Sequence, residues 1–336
     1  MTLLDSPIPG VTLKTISANG ITMRYAEAGS GPLVLFCHGW PESWYSWRHQ
    51  IAALSAAGFR CVAPDMRGYG GTDAPAEIEH YTLLHIVGDM VELVKQLGET
   101  QAVIVGHDWG APAAWNSALL RPDVFRAVVG MSVPFAPPGR VELLGALAQQ
   151  GIQNFYMQYF QAPGVAEAEL QRDVRSTMRR MAYSGSGDAP RPGAGGAPSS
   201  GIAMVARTGG FLDHTTDPAA LPAWIGEADI DFYTKEFART GFRGGLNWYR
   251  NIDRNWELLA PYAGALVTVP ALYVVGDRDL VFQFRGMDQL IPNLSKFVPN
   301  LRRTIVLPGC GHWTQQERAR DVNAAILEFL KGLGAS

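Results

Sequence analysis

Short, unbroken apolar runs alternate along this chain with longer stretches in which apolar residues recur every three or four positions. The runs at residues 33–37, 60–63, 102–105, 127–130, 271–275 and 304–307 predict strands. Their lack of polar alternation suits strands buried on both faces, as in a parallel sheet with helices on each side. Between 83 and 97, Ile86, Met90, Leu93, Val94 and Leu97 share one helical face, and Val322, Ala325, Ile326, Phe329 and Leu330 repeat the pattern between 321 and 330. Both stretches predict covering helices. Strand and helix in turn predict an α/β fold with a mostly parallel sheet.

This rhythm stops after Ser132 and resumes at Pro270. Residues 135–262 are therefore expected to form a helical cap inserted between two parts of one α/β core, residues 1–134 and 263–336. Within the cap, residues 184–201 (SGSGDAPRPGAGGAPSSG) hold no large apolar side chain to bury, which predicts a mobile surface loop. No repeat of the length that builds solenoids or propellers is present.

Composition narrows the class. The 336 residues are 47% hydrophobic and 18% charged, enough apolar material for a packed core and too little charge for a disordered chain. Lysine plus arginine number 28 against 31 aspartate plus glutamate, a net charge of −3. No basic excess exists to follow a nucleic-acid backbone or an anionic membrane. The cysteines Cys37, Cys61 and Cys310 are an odd, sparse set without CxxC spacing. They predict buried free thiols, a reducing and hence cytoplasmic setting, and no structural metal. The start MTLLDSPIPGVTLKTI has neither a basic region nor an apolar stretch of export length, and no run is long enough to span a membrane. The oligomeric state is left open.

The chemistry concentrates at strand ends. Gly106-His107-Asp108-Trp109-Gly110 directly follows the 102–105 strand and precedes a helix-like stretch at 113–120. That is the setting of a nucleophile elbow, with glycines two positions either side of a strained central residue, and here the centre is Asp108 rather than serine. An elbow nucleophile needs an acid and then a histidine later in the chain. Gly276-Asp277-Arg278-Asp279 follows the 271–275 strand and Gly311-His312-Trp313 the 304–307 strand. The motif alone leaves Asp277 and Asp279 both open as the acid. His38-Gly39-Trp40-Pro41 follows the first run, where a loop can aim a backbone amide into the site. The backbone N–H groups of Trp40 and Trp109 are thus the expected oxyanion hole, and Trp40-Pro41 is a candidate cis peptide.

A carboxylate nucleophile restricts the reaction. Attack on an ester or amide would give a labile anhydride, whereas attack on an sp³ carbon bearing a leaving group gives an alkyl ester. Water activated by His312 can then attack the carbonyl carbon of Asp108 itself. Opening of an epoxide or hydrolysis of a carbon–halogen bond remains.

The segments HGWPESWYSWRHQI (38–51), RGYG (67–70), GHDWG (106–110), YFQAPGVAEAEL (159–170), GFRGGLNWYRN (241–251), GDRDLV (276–281) and GCGHWTQ (309–315) make the chain similar to the soluble epoxide hydrolases of the α/β-hydrolase superfamily, in particular the hydrolase domain of the mammalian soluble enzymes. The resemblance covers nearly the whole chain. It implies an α/β-hydrolase fold and a cofactor-free conversion of a small-molecule epoxide to a vicinal diol. It also implies two cap tyrosines that protonate the opening ring, Tyr249 in the NWYRN segment and Tyr156, three residues before Tyr159, with Asp279 as the acid orienting His312. Trp40 stands where the mammalian enzymes carry phenylalanine, their additional phosphatase domain has no counterpart here, and residues 184–201 find no close counterpart. Trp40, Trp109, Phe135, Phe160, Val281, Phe282 and Trp313 are the expected lining of an apolar pocket. The competing readings are a haloalkane dehalogenase, to which Trp109 would offer one indole N–H, and a non-catalytic binder of a small apolar ligand.

Overall fold

The computed structural model describes residues 6–137, 143–149, 151–190, 203–205 and 208–334. Its strands are β1 (Thr12–Ala18), β2 (Ile21–Ala28), β3 (Leu33–Cys37), β4 (Arg60–Pro64), β5 (Ala102–His107), β6 (Phe125–Met131), β7 (Ala271–Gly276) and β8 (Leu301–Leu307). They form one sheet in the order β1-β2-β4-β3-β5-β6-β7-β8, with β1 and β2 antiparallel to their neighbours and the rest parallel. Helices α1 (Arg48–Ala56), α2 (Leu83–Gln96) and α3 (Gly110–Leu120) precede β6. Between β6 and β7 lie α4 (Leu143–Gln149), α5 (Tyr156–Tyr159), α6 (Val165–Leu170), α7 (Val174–Ser184), α8 (Glu227–Thr240), α9 (Arg243–Tyr249) and α10 (Ile252–Leu259). Then α11 (Met287–Leu290), α12 (Thr314–Glu317) and α13 (Ala319–Lys331) follow.

All six predicted strands are present, and β3, β5 and β7 are buried along their whole length, as unbroken apolar runs require. The last run differs. β8 closes the sheet, so residues 304–306 are not buried, and the exposed Arg302 and Arg303 beside them keep that edge polar. The β1–β2 hairpin escapes a search for apolar runs because Lys14, Arg24 and Glu27 interrupt it. Its signal is Asn19-Gly20, both at positive φ (50° and 78°), the two-residue turn whose twist matches a hairpin. α2 and α13 bury the predicted faces, with Ile86, Met90, Leu93 and Val94 inside one and Val322, Ile326, Phe329 and Leu330 inside the other. Thr82 caps α2 by accepting the His85 N–H.

The inserted helices are tied to the sheet by buried charge. Arg24 on β2 pairs with Asp65 at 2.5 Å and with Glu236 of α8 at 2.7 Å, while Arg48 of α1 pairs with Asp229 of α8 at 3.2 Å. The three cysteines are free and buried. Among the described residues no helix is long and apolar enough to cross a membrane.

The segment at 184–201 does not begin as a free loop. Ser184 ends α7, and Gly185, Ser186 and Gly187 are buried against the turn after β8. A Cβ on Gly187 would lie 2.0 Å from the Gly309 carbonyl oxygen, and one on Gly311 would lie 2.3 Å from the Gly187 nitrogen. The lack of side chains, taken from sequence as nothing to bury, is what lets two backbones touch. Residues 191–201 lie outside the described residues.

Candidate active site

β5 ends in a turn that only small neighbours permit. A Cβ on Gly106 would meet the Gly110 carbonyl oxygen at 1.9 Å, and one on Gly110 would meet that of Cys37 at 1.9 Å. Between them Asp108 sits at φ 51°, a left-handed conformation that costs a non-glycine residue on the order of 1–3 kcal/mol and is held by the surrounding packing. Its side chain points over the C-terminal ends of the parallel strands. The Trp40 N–H donates to Asp108 Oδ1 at 2.7 Å, the Trp109 N–H also donates to this carboxylate, and Trp40-Pro41 is cis. Gly39 is obligatory here, since a Cβ would fall 2.4 Å from Asp108 Oδ1.

His312 stands between two carboxylates. Its Nδ1–H donates to Asp279 Oδ1 at 3.0 Å, and its Nε2 lies 3.6 Å from Asp108 Oδ2. The alternative acid, Asp277, instead accepts the Gly309 N–H at 2.7 Å and so shapes the histidine turn from outside. Burial opposes the imidazolium, but Asp279, Asp108 and Glu42 outweigh it and raise the His312 pKa to about 9. Burial likewise raises the Asp108 pKa above its ordinary value, offset in part by His312, His107 and the two amide bonds.

Tyr156 and Tyr249 come from helices inserted after β6, with ring centroids 5.9 Å apart. Burial, with the Asp108 charge nearby, pushes both phenols well above their ordinary pKa, so each keeps its proton. The Trp109 side chain hydrogen-bonds the Tyr249 hydroxyl, and its ring packs edge-on at 5.1 Å. Tyr159, one helical turn from Tyr156, turns away and donates to Glu169 at 2.8 Å.

Two cavities meet at Asp108, Tyr156 and Val281. One of about 30 Å³ is also walled by Trp40, Met181, Leu280 and Trp313; the other, of about 610 Å³, by Trp109, Phe135, Phe155 and Phe284. Of the seven expected lining residues, Trp40, Trp109, Phe135, Val281 and Trp313 border one cavity or the other. Phe160 and Phe282 line neither cavity. Phe160 is fully buried behind the tyrosines, packed on Trp40 at 5.1 Å and Tyr249 at 5.1 Å, and Phe282 packs against the hydrophobic core while Phe284, two residues on, faces the wide cavity.

Sequence reasoning missed the support beneath the site. His107 contacts Glu42 Oε2 through Nδ1 at 2.9 Å and the His312 carbonyl oxygen through Nε2 at 2.7 Å. Glu42 also accepts the Gly39 N–H at 2.9 Å and the Gln315 amide at 2.8 Å, so one buried carboxylate joins the Trp40 loop, the elbow and the histidine turn. The signal available was a glutamate and a histidine within otherwise apolar, motif-bearing segments.

Residues 32–169 match the family model described as the alpha/beta hydrolase fold. "Epoxide hydrolase A" of Mycobacterium tuberculosis is 45% identical over 326 residues, covering 96% of this chain and 98% of that protein. "Bifunctional epoxide hydrolase 2" of Mus musculus is 39% identical over 93% of this chain, which spans 54% of the mouse protein. Among solved structures, an epoxide hydrolase from an endophytic Streptomyces superposes with a TM-score of 0.91 at 44% identity, covering 97% of this chain and 96% of that one. With identity of this order carried across nearly its whole length, the chain belongs to the epoxide hydrolases of the α/β-hydrolase fold.

Proposed function

We propose that hydrolysis proceeds through an alkyl ester on Asp108. Supporting this above all is one carboxylate that faces two backbone amides, His312 and a pair of protonated phenols at once. With Oδ1 held by the Trp40 amide, Oδ2 is the oxygen free to attack a ring carbon. The O–C ester bond forms as the ring C–O bond breaks, and Tyr156 or Tyr249 gives its proton to the departing oxygen. Ester formation removes the charge of Asp108, one of the groups that keep His312 protonated, so the imidazolium gives up its proton through solvent to the phenolate just formed, which restores the phenol and leaves a neutral imidazole as base. It then takes a proton from water, the hydroxide attacks Cγ of Asp108, and the Trp40 and Trp109 amides hold the oxyanion on Oδ1. On collapse His312 gives its proton to the departing diol oxygen, and the second water proton, left on the Asp108 carboxyl, passes to His312, which restores carboxylate and imidazolium.

The cap tyrosines favour an oxygen leaving group over halide, which wants N–H donors, and the Trp109 indole is already engaged with Tyr249. A non-catalytic binder would have no use for the spacing of Asp108, His312 and Asp279. Residues 135–262 act as the cap in this reading, and the free buried thiols suit a cytoplasmic setting.

Single turnovers with styrene oxide test the scheme. His312→Gln should trap an adduct on Asp108 by intact mass. The Tyr156→Phe/Tyr249→Phe double variant should form none, each single variant retaining part of the rate, since one lost donor costs about 10²–10³. In heavy-oxygen water the first diol from excess wild-type enzyme should carry light oxygen. Heavy oxygen in that first diol, or an unmodified His312→Gln protein, would sink the ester.

A further inference from the structure

The two cavities that meet at Asp108 differ in size by a factor that substrate must respect. The narrow arm holds about 30 Å³, roughly two water-sized spheres at about 10–15 Å³ each. The wide arm holds about 610 Å³, some four times the cavity of about 150 Å³ that accepts benzene. Asp108, Tyr156 and Val281 line both, and Tyr249 and His312 line the narrow one, so an epoxide held for attack has its ring beside the narrow space and the wide arm open to one of its substituents.

The narrow arm is also built not to yield. One wall is the end of α7 and the backbone strap that continues it, where Met181, Gly185 and the adjoining Trp313 face the arm. The strap is pinned from several sides. The His312 N–H donates to the Gly185 carbonyl at 2.7 Å, and the Trp313 indole to that of Ala182 at 2.9 Å. Arg278 binds the carbonyls of Gly187 and Ala189. The half-buried carboxylate of Glu317 accepts three N–H groups, from Gly187 at 2.9 Å, Gly311 at 2.8 Å and Trp313 at 3.0 Å. On another wall the larger indole of Trp40 is wedged against Phe160 at 5.1 Å and Phe211 at 6.0 Å. Widening the arm at these walls therefore means breaking hydrogen bonds or displacing packed rings.

We propose that this arm is a size filter. The substrates are epoxides with hydrogen or methyl on one ring carbon and a long or aromatic apolar group on the other, and an epoxide bulky on both carbons is rejected. Met181 and Leu280 are the side chains that set the limit. The proposal rests on the reading of Asp108 as the nucleophile at the junction.

Three isomers of epoxyoctane, equal in mass and composition, test it: the terminal isomer bearing hexyl on one carbon, the trans isomer bearing methyl and pentyl, and the trans isomer bearing propyl on both. In wild-type enzyme kcat/KM for the dipropyl isomer should fall at least about tenfold below the other two, the lower end of what a misfitting apolar group costs. Met181→Ala or Leu280→Ala should each shrink that ratio several-fold, and having both covers the failure of either to fold. Equal kcat/KM for all three isomers in wild type, or an unchanged ratio in both folded variants, overturns the filter. Failure of the nucleophile reading looks different: no isomer would leave an ester on Asp108 in His312→Gln.

Discussion

His312 shows how a residue's surroundings reverse its intrinsic tendency. Buried alone it would be neutral; between Asp279 and Asp108 its pKa rises to about 9, from an ordinary value near 6.5. A histidine whose folded pKa is raised lends stability in full below its unfolded pKa, and loses it as pH climbs through the folded one. The stability difference between wild type and His312→Gln should therefore be largest below about pH 6.5 and shrink toward pH 9, by an amount on the order of 2–3 kcal/mol. Urea unfolding of both proteins across that range checks it, and a difference that grows with pH would reverse the sign of the argument. Asp108 and His312 were legible as candidates because each sits just past a predicted strand, where chain order and turn glycines restrict what a polar residue can be doing, whereas the motif left Asp277 and Asp279 open and only the resemblance favoured Asp279. Glu42 and His107 were not, since their value lies in reaching one another and the histidine turn across 65 and 205 positions. Phe160 and Phe282 were misplaced for a related reason: proximity to a motif gives no direction to a side chain.

Among the elements, those with strong periodicity were readable and those made by backbone contact were not. α2, α13 and the buried strands follow from apolar spacing, and the β1–β2 hairpin carried its own turn signal in Asn19-Gly20. The strap after α7 is the opposite case, because its hydrogen bonds come from amides that any sequence has, and glycine only permits the approach. Glu317 is where this contact can be probed. In Glu317→Gln an NH₂ group replaces one acceptor oxygen and faces the N–H groups of Gly187 and Gly311 or that of Trp313. A slack His312 turn should slow ester hydrolysis about 10–100-fold, the cost of an ångström-scale misplacement, while ester formation, which needs Asp108 and the tyrosines, changes little. Rapid-mix measurement of the two steps separates them, and equal slowing of both would mean general damage rather than a misplaced base.

At the scale of the whole molecule, the α/β class and an insertion after β6 were visible as a rhythm that stops and resumes; which charges join the inserted helices to the sheet was not. Arg24 is one such joint, answering Asp65 on the core side and Glu236 on α8. Arg24→Met leaves the buried Asp65 carboxylate without its cationic partner, while Glu236 keeps Arg239 at 2.8 Å, which predicts a loss of about 3–5 kcal/mol in urea unfolding. A cost below about 1 kcal/mol would show that backbone donors such as the Gly71 N–H suffice for Asp65. The position of the insertion bears, finally, on how the enzyme is assembled. Val128 of β6 pairs with Ala271 of β7, so everything between them must be spanned before those strands meet. Loop closure adds only about 0.6 kcal/mol per doubling of length, but pairings so distant in sequence form late. A chain emerging from the ribosome can seat Asp108 on the first strands while Asp279 and His312 are still unmade. On the mechanism proposed above the nucleophile is then made before its base, and a premature encounter with an epoxide would leave an alkylated chain with no means of releasing it.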